Sequence, residues 1–281
     1  MTSFGERLRT ALHTYGPLCV GIDPHVSLVE EWGLEASGAG IREFGLRVVE
    51  ASAGRVGVVK PQVAFFERFG SAGFAALEDV LRAARDAGLV VIADAKRGDI
   101  GSTMDGYAAA WLAPGSSLEA DAVTLSPYLG ADSLRDTLAF AVAAGKGAFV
   151  LAATSNPAAH VLQSALVAGE PGETVAARVA REVAAAGDAS ADSLGSIGVV
   201  VGATADRDAV GLTDAALERL PILAPGFGVQ GAEPSDLHRL FGPLAANVAA
   251  SESRSILSAG PDRLAARIEE RAGLYAEVNL G

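Results

Sequence analysis

The segment Asp94-Ala95-Lys96-Arg97-Gly98-Asp99 sets an ammonium group among two carboxylates directly after an apolar run, Gly88–Ala93. That run reads as a strand buried on both faces. Side chains alternate along a strand, so Asp94 and Lys96 are expected to share one side. Gly98 permits a turn that carries Asp99 just beyond them. Opposite charges nearby favour the ammonium form, so Lys96 is expected to stay protonated at neutral pH. A held ammonium suits proton donation better than nucleophilic attack. An ion-pair network that merely ties off a strand end is the alternative. Three charges immediately after a buried strand favour a site over that alternative.

Other polar residues also follow apolar runs. Asp23 follows Leu18–Ile22, and Lys60 follows Val56–Val59. Ser126 follows Asp121–Leu125, and Thr154 with Ser155 follows Gly147–Ala153. Gln230 lies in the loop after Pro221–Ala224, and Arg254 lies beyond Leu244–Val248. With Ile197–Val201 and the run before Asp94, these make eight candidate strands. Helical spacing separates them. A short amphipathic helix is expected over Ser3–His13, then helices over Ile41–Ala53, Phe65–Ala87, about Thr103–Leu112 and Thr174–Ala186. Asp132 is expected to cap another helix, and Pro261 to open the last.

Eight repeated βα units predict an α/β chain folded as a closed parallel (β/α)8 TIM barrel. It is expected to be one domain over residues 1–281, with a long loop near 156–173. An open doubly wound sheet is the second architecture, but no G-x-G-x-x-G follows the first strand. In a barrel all these strand ends meet on one face, where active sites are built. The last two loops combine Gly226, Gly228 and Gly231 with Gln230 and Arg254, a pattern suited to an anion such as phosphate.

Composition narrows the function classes. There are 22 basic against 34 acidic residues, a formal net charge of −12, so a nucleic-acid surface is not expected. An anion would need a local cationic pocket. The one cysteine, Cys19, excludes an internal disulfide and reads as an inert core thiol in a reducing cytoplasm. The segment Met1–Arg7 lacks an apolar signal region, and no apolar stretch is long enough to span a membrane. His13, His25, His160 and His238 show no ligand spacing, and Lys96 competes with any cation for Asp94 and Asp99, so no metal is expected. His25 reads as a surface histidine, although its place after Asp23-Pro24 also allows the barrel mouth. Gln163 reads as either a surface residue or one reaching toward the anion. Trp32 and Trp111 read as packing residues.

Asp94-x-Lys96-x-x-Asp99 after a third barrel strand resembles the signature of the orotidine 5′-phosphate decarboxylase family. Gly21-Ile22-Asp23, Lys60–Glu67, Ser126-Pro127, Pro225–Gln230 and Ser253-Arg254-Ser255 match in the same order. The wording Asp94–Thr103, with Lys60-Pro61-Gln62, is similar to the longer bacterial subgroup. The resemblance implies decarboxylation of orotidine 5′-monophosphate to UMP without metal or organic cofactor. It implies that Lys96 protonates C6 of the pyrimidine. Asp94 would lie against the departing carboxylate, either repelling it or orienting Lys96. Lys60 would bridge Asp94 and the ribose hydroxyls, and Asp23 would accept from the ribose. Ser126 would contact the base, and Gln230 and Arg254 would grip the phosphate. Asp99, with Ile100 and Thr103, would complete the site of a partner chain in a C2 homodimer. One departure is visible: the last loop reads Ser251-Glu252-Ser253-Arg254, where a glycine before the arginine is more usual.

Two other enzymes fit the barrel. One is a magnesium-dependent decarboxylase of sugar phosphates with a similar motif. The other is a class I aldolase with an imine-forming lysine, which needs the neutral amine that flanking carboxylates disfavour. A non-catalytic nucleotide binder is the third alternative, and it has no need of the complete Asp/Lys array.

Overall fold

The computed structural model describes residues 2–188 and 193–278. Eight parallel strands close into a barrel in sequence order. They are β1 Leu18–Ile22, β2 Val58–Pro61, β3 Val90–Arg97, β4 Ala122–Leu125, β5 Gly147–Ala153, β6 Ile197–Val201, β7 Ile222–Pro225 and β8 Val248–Glu252. The ring closes through β8 and β1, with Cys19 opposite Ser251 and Val20 opposite Glu252. The fold is the expected (β/α)8 barrel.

The period of two along each strand sorts the side chains into two buried groups. Leu18, Val20, Ile22, Val59, Val91, Ala93 and Val123 pack outward with the helices in one apolar cluster. Cys19, Val58, Val90, Ile92, Ala122, Phe149 and Ala249 form a second cluster inside the barrel. Helix Phe4–Tyr15 joins that inner cluster through Phe4, Leu8 and Leu12. Its start is fixed by a capping box between Ser3 and Glu6. Phe4 meets Phe149 edge to face at 6.0 Å, and a side chain at Gly147 would occupy the place of the Phe4 ring. Arg7 pairs with Asp121 at 2.5 Å, so this helix closes the end of the barrel away from the strand C-termini.

Several boundaries differ from expectation. The long helix over 65–87 is two helices, Val63–Glu67 and Gly70–Asp86, because Gly70 takes a left-handed φ of +59°. The last strand begins where the apolar run was expected to end. Pro243 opens a 3-10 segment, Gly242–Asn247, and β8 occupies 248–252 instead of 244–248. Asp132 does not cap a helix: it sits inside a 3-10 turn, Ala131–Leu134, and pairs with Arg135. The segment 156–173 contains a 3-10 turn at Pro157–Ala159 and a helical turn at His160–Gln163, and Leu166 bridges to Thr174.

Candidate functional site

On four strands the residue two positions beyond the inner apolar layer is polar, and these four meet at the C-terminal mouth. Val58 leads to Lys60, Ile92 to Asp94, Ala122 to Thr124 and Ala249 to Ser251. A cavity of about 710 Å³ opens there, with Asp23, Lys60, Asp94, Lys96 and Arg254 in its walls. Asp94 is its charged centre. Its Oδ2 accepts from Lys60 Nζ at 2.9 Å, and its Oδ1 accepts from Lys96 Nζ at 2.6 Å. Oδ1 also accepts from the Thr124 hydroxyl at 2.9 Å, and that same hydroxyl accepts from the Lys96 backbone N–H at 2.9 Å. Lys60 and Asp94 are only 5% and 7% exposed, whereas the Lys96 side chain is 46% exposed.

Burial alone would push the Asp94 carboxyl up, but the Lys60 and Lys96 ammonium groups override it and hold the carboxyl far below the usual range. Burial likewise disfavours a charged Lys60. The carboxylates of Asp94 and Asp23 more than offset that, and its ammonium form is strengthened. Two charges are thus buried because each has a partner, without which burial costs several kcal/mol on the order of magnitude.

The backbone at Lys96 is unusual. Pairing between β3 and β4 passes from Ala93↔Val123 to Arg97↔Leu125, a bulge in β3. Within it Lys96 has φ +48°, and it is the one non-glycine residue with positive φ among the described residues. Such a conformation costs on the order of 1–3 kcal/mol and is kept where surrounding contacts determine it. Here the contacts are Thr124 beneath the N–H and Asp94 at the side-chain tip. Arg97, next along the bulge, pairs with Glu67 and lies over the Tyr107 and Trp111 rings.

The structure corrects the expected charge order. Strand β3 runs through the motif instead of ending before it. The lysine is not between two carboxylates; the carboxylate Asp94 is between two lysines. Asp99 forms no ion pair with Lys96 within the described residues; its Oδ1 accepts from Ile100 N at 2.8 Å. Gly98 sets the path of this turn, since a Cβ there would come within 2.4 Å of the Ser126 carbonyl oxygen. Asp99, Ile100 and Thr103 are not in the cavity wall, and Ile100 is 61% exposed.

The remaining expected residues divide. Asp23 lines the cavity, and its buried Oδ1 has no hydrogen-bond partner. Arg254 is exposed, lines the cavity and opens the short helix Arg254–Leu257. Ser126 is half-buried beside the array, its N–H donating to Arg97 O at 2.7 Å, and is not in the wall. The Gln230 backbone lies in the turn Gly228–Gln230, while its side chain lies outside the described residues. His25 lines the mouth, 4.0 Å from the Phe65 ring centre, instead of lying on the open surface. Gln163 takes a third position: it accepts from Thr154 N and donates to Thr154 Oγ1, both at 3.0 Å, tying the long connection to the end of β5. Among the described residues no group of three or more His, Cys, Asp or Glu side chains is placed to hold a metal ion. No described helix is long and apolar enough to cross a membrane.

Thr124 escaped the sequence reading, and Gln62 entered it only within the Lys60-Pro61-Gln62 match, with no role of its own. Gln62 lines the cavity and accepts from Lys60 Nζ at 3.4 Å. A threonine inside an apolar strand, two residues before Ser126, was the signal for Thr124.

The fold and this array define a (β/α)8-barrel enzyme with a charged array at the C-terminal mouth of the barrel, the face where such barrels build their sites. Residues 16–268 match the family described as orotidine 5′-phosphate decarboxylase / HUMPS. The sequence is 51% identical over 269 residues to orotidine 5′-phosphate decarboxylase of Salinispora arenicola, covering 95% of this chain and 94% of that protein. It is 51% identical over 271 residues to the Streptomyces coelicolor enzyme of the same name, again covering 95% and 94%. Among solved structures, OMP decarboxylase of Leishmania donovani superposes with TM-score 0.76 at 29% identity, covering 100% of both chains. A crystal structure from Streptomyces avermitilis, assigned to the same activity, superposes with TM-score 0.93 at 46% identity, covering 100% of this chain and 97% of that one. The chain belongs to the orotidine 5′-phosphate decarboxylase family.

Proposed function

We propose that this chain converts orotidine 5′-monophosphate to UMP and CO2 in pyrimidine biosynthesis, using side chains alone, with no metal or organic cofactor. The observation that carries the reading is Asp94 held between the Lys60 and Lys96 ammonium groups in the mouth of the cavity. The cavity, about 710 Å³, falls in the range of small-molecule sites.

In this reading the C6–carboxylate bond breaks with its electron pair left on C6. Lys96 Nζ supplies the proton to that carbon, giving UMP and CO2, and the neutral amine regains a proton from solvent. The half-exposed lysine head suits that exchange. The ammonium stands in place before charge develops, which is the electrostatic economy of a preorganised site. Asp94 faces the leaving carboxylate and holds Lys96. Lys60 spans Asp94 and the ribose hydroxyls, and Asp23, in the cavity wall, accepts from the ribose. Ser126 contacts the base, and Gln230 and Arg254 hold the phosphate. Binding of that remote phosphate contributes to the chemical step. Asp99, Ile100 and Thr103, turned away from their own cavity, complete the site of a second copy in a homodimer. The chain works as one barrel domain, in the cytoplasm, with no nucleic-acid partner.

The test follows the absorbance of orotidine 5′-monophosphate with wild type and Lys96→Ala, both in EDTA. Turnover that persists in the chelator and disappears in the variant is expected. Turnover lost on chelation, or retained by Lys96→Ala, would overturn the reading.

A further inference from the structure

The last residue of β8, Glu252, points away from the cavity and its side chain is fully buried. Its carboxylate accepts four hydrogen bonds. Oε2 takes the Ser255 hydroxyl at 2.6 Å and Arg271 Nε at 2.8 Å. Oε1 takes Arg271 Nη2 at 2.9 Å and the Tyr275 hydroxyl at 2.8 Å. Arg271 and Tyr275 are four residues apart on the last helix, Leu264–Val278, so both face the carboxylate from adjacent turns. The two-point guanidinium contact fixes direction as well as distance. Burial, with Glu252 beside it, pushes the Tyr275 phenol far up, so it remains a donor.

The same cluster presses on both anion-suited loops. Ser255 follows Arg254 directly. Phe227, in the loop after β7, meets the Tyr275 ring edge-on at 5.9 Å. Gly228 has φ +73°, and a Cβ there would lie 2.5 Å from Ser255 Oγ and 3.0 Å from Glu252 Oε2. The two loops therefore pack together beside this carboxylate with no space for a side chain at position 228. Neither Arg271 nor Tyr275 lines the cavity. An ion pair that only anchors the last helix to the barrel would not need the contacts to Ser255, next to Arg254, and to Phe227, in the same loop as Gln230.

We infer that Glu252, Arg271 and Tyr275 form a positioning assembly through which the last helix fixes the phosphate-binding loops after β7 and β8. The inference rests on the reading of the cavity as a site for a phosphorylated nucleotide. Tyr275→Phe tests it mildly, keeping the ring against Phe227 while removing one donor to Glu252. Titrations with UMP and steady-state kinetics on orotidine 5′-monophosphate would compare wild type, Tyr275→Phe, Arg254→Ala and the double variant. Tyr275→Phe is expected to weaken UMP binding and raise KM by about threefold to tenfold, the effect of one lost hydrogen bond, with kcat falling less than KM rises. In the Arg254→Ala background the same change should have less than about a twofold further effect, because the group being positioned is gone. Arg271→Lys, which keeps the charge but not the two-point contact, should behave alike. A lowered melting midpoint with unchanged UMP affinity would overturn the inference and leave the nucleotide reading intact. So would a loss that persists in full without Arg254. Failure of the wild type to bind UMP would overturn both.

Discussion

The Thr124 hydroxyl donates to Asp94 Oδ1 and accepts the backbone N–H of Lys96, each at 2.9 Å. One buried hydroxyl therefore fixes the carboxylate and holds the left-handed backbone of the lysine paired with it. Replacing it with the near-isosteric Thr124→Val leaves the Lys96 N–H without its acceptor and frees one side of Asp94. We expect kcat to fall by about tenfold or more, since a buried unsatisfied group costs ~1–3 kcal/mol and the geometry of the array loosens. Thr124→Ser should restore most of the rate. Turnover of Thr124→Val within twofold of wild type would show that Lys96 is held by other means.

Acid stability should depend on a carboxylate far from this site. Glu119 is reached by Lys146 at 2.6 Å and Arg85 at 2.7 Å, and it also accepts from Gly115 N at 2.8 Å. Burial raises its carboxyl, but these contacts outweigh it and lower it from the ordinary 4.5 to about 2. A depressed carboxyl stabilises the fold above its unfolded pKa, and that stability drains away as pH falls toward the folded value. Denaturant unfolding between pH 7 and pH 2.5 should therefore show a loss beginning near pH 4.5. The Glu119 share is on the order of 2 kcal/mol, reduced by partial exposure. Glu119→Gln should be less stable at neutral pH and show a shallower acid limb. An acid limb unchanged in slope would assign the loss to other carboxylates, Asp94 first among them.

The barrel was legible because most of its βα units repeat the same pattern: an apolar run, then a charge or hydroxyl, then helical spacing. The mouth residues Lys60, Asp94 and Lys96 were legible for the same reason, as polar residues at the ends of apolar runs. What escaped was set by neighbours in space. The bulge at Lys96 depends on pairing with β4, so period-two reasoning over 94–99 put Lys96 between carboxylates when the chain puts Asp94 between lysines. Asp132 has the side chain of a cap, but its segment tightens into a 3-10 turn and Arg135 takes the carboxylate. Glu252 could be read only as a departure in a loop, because Arg271 and Tyr275 are about twenty residues further along the chain.

Cys19 lies inside the barrel directly below the mouth and is fully buried. Burial is the main cause that pushes its thiol up to about 12, so almost no thiolate is present at pH 8. The native protein should resist iodoacetamide and disulfide reagents at pH 8, and one thiol per chain should react promptly in denaturant. Labelling of the native protein at the rate of a free thiol would mean that the barrel interior opens far more readily than its packing implies.

The last prediction concerns the second copy. Asp99 leads into Ile100, 61% exposed, and Gly98 packs this segment on Ser126, just before the exposed Tyr128 and Leu129. Exposed apolar side chains near an acidic turn suit an interface between copies of the chain. If Asp99 completes the partner's site, Lys96→Ala and Asp99→Ala are each inactive alone. A mixed dimer then contains one site with both defects and one with neither. Mixing equal amounts and allowing exchange should restore activity to about a quarter of all sites, since half of the dimers are mixed and half of their sites are intact. Distinguishable tags would report how many mixed dimers form. Abundant mixed dimers with no recovered activity would place Asp99 outside the neighbouring site.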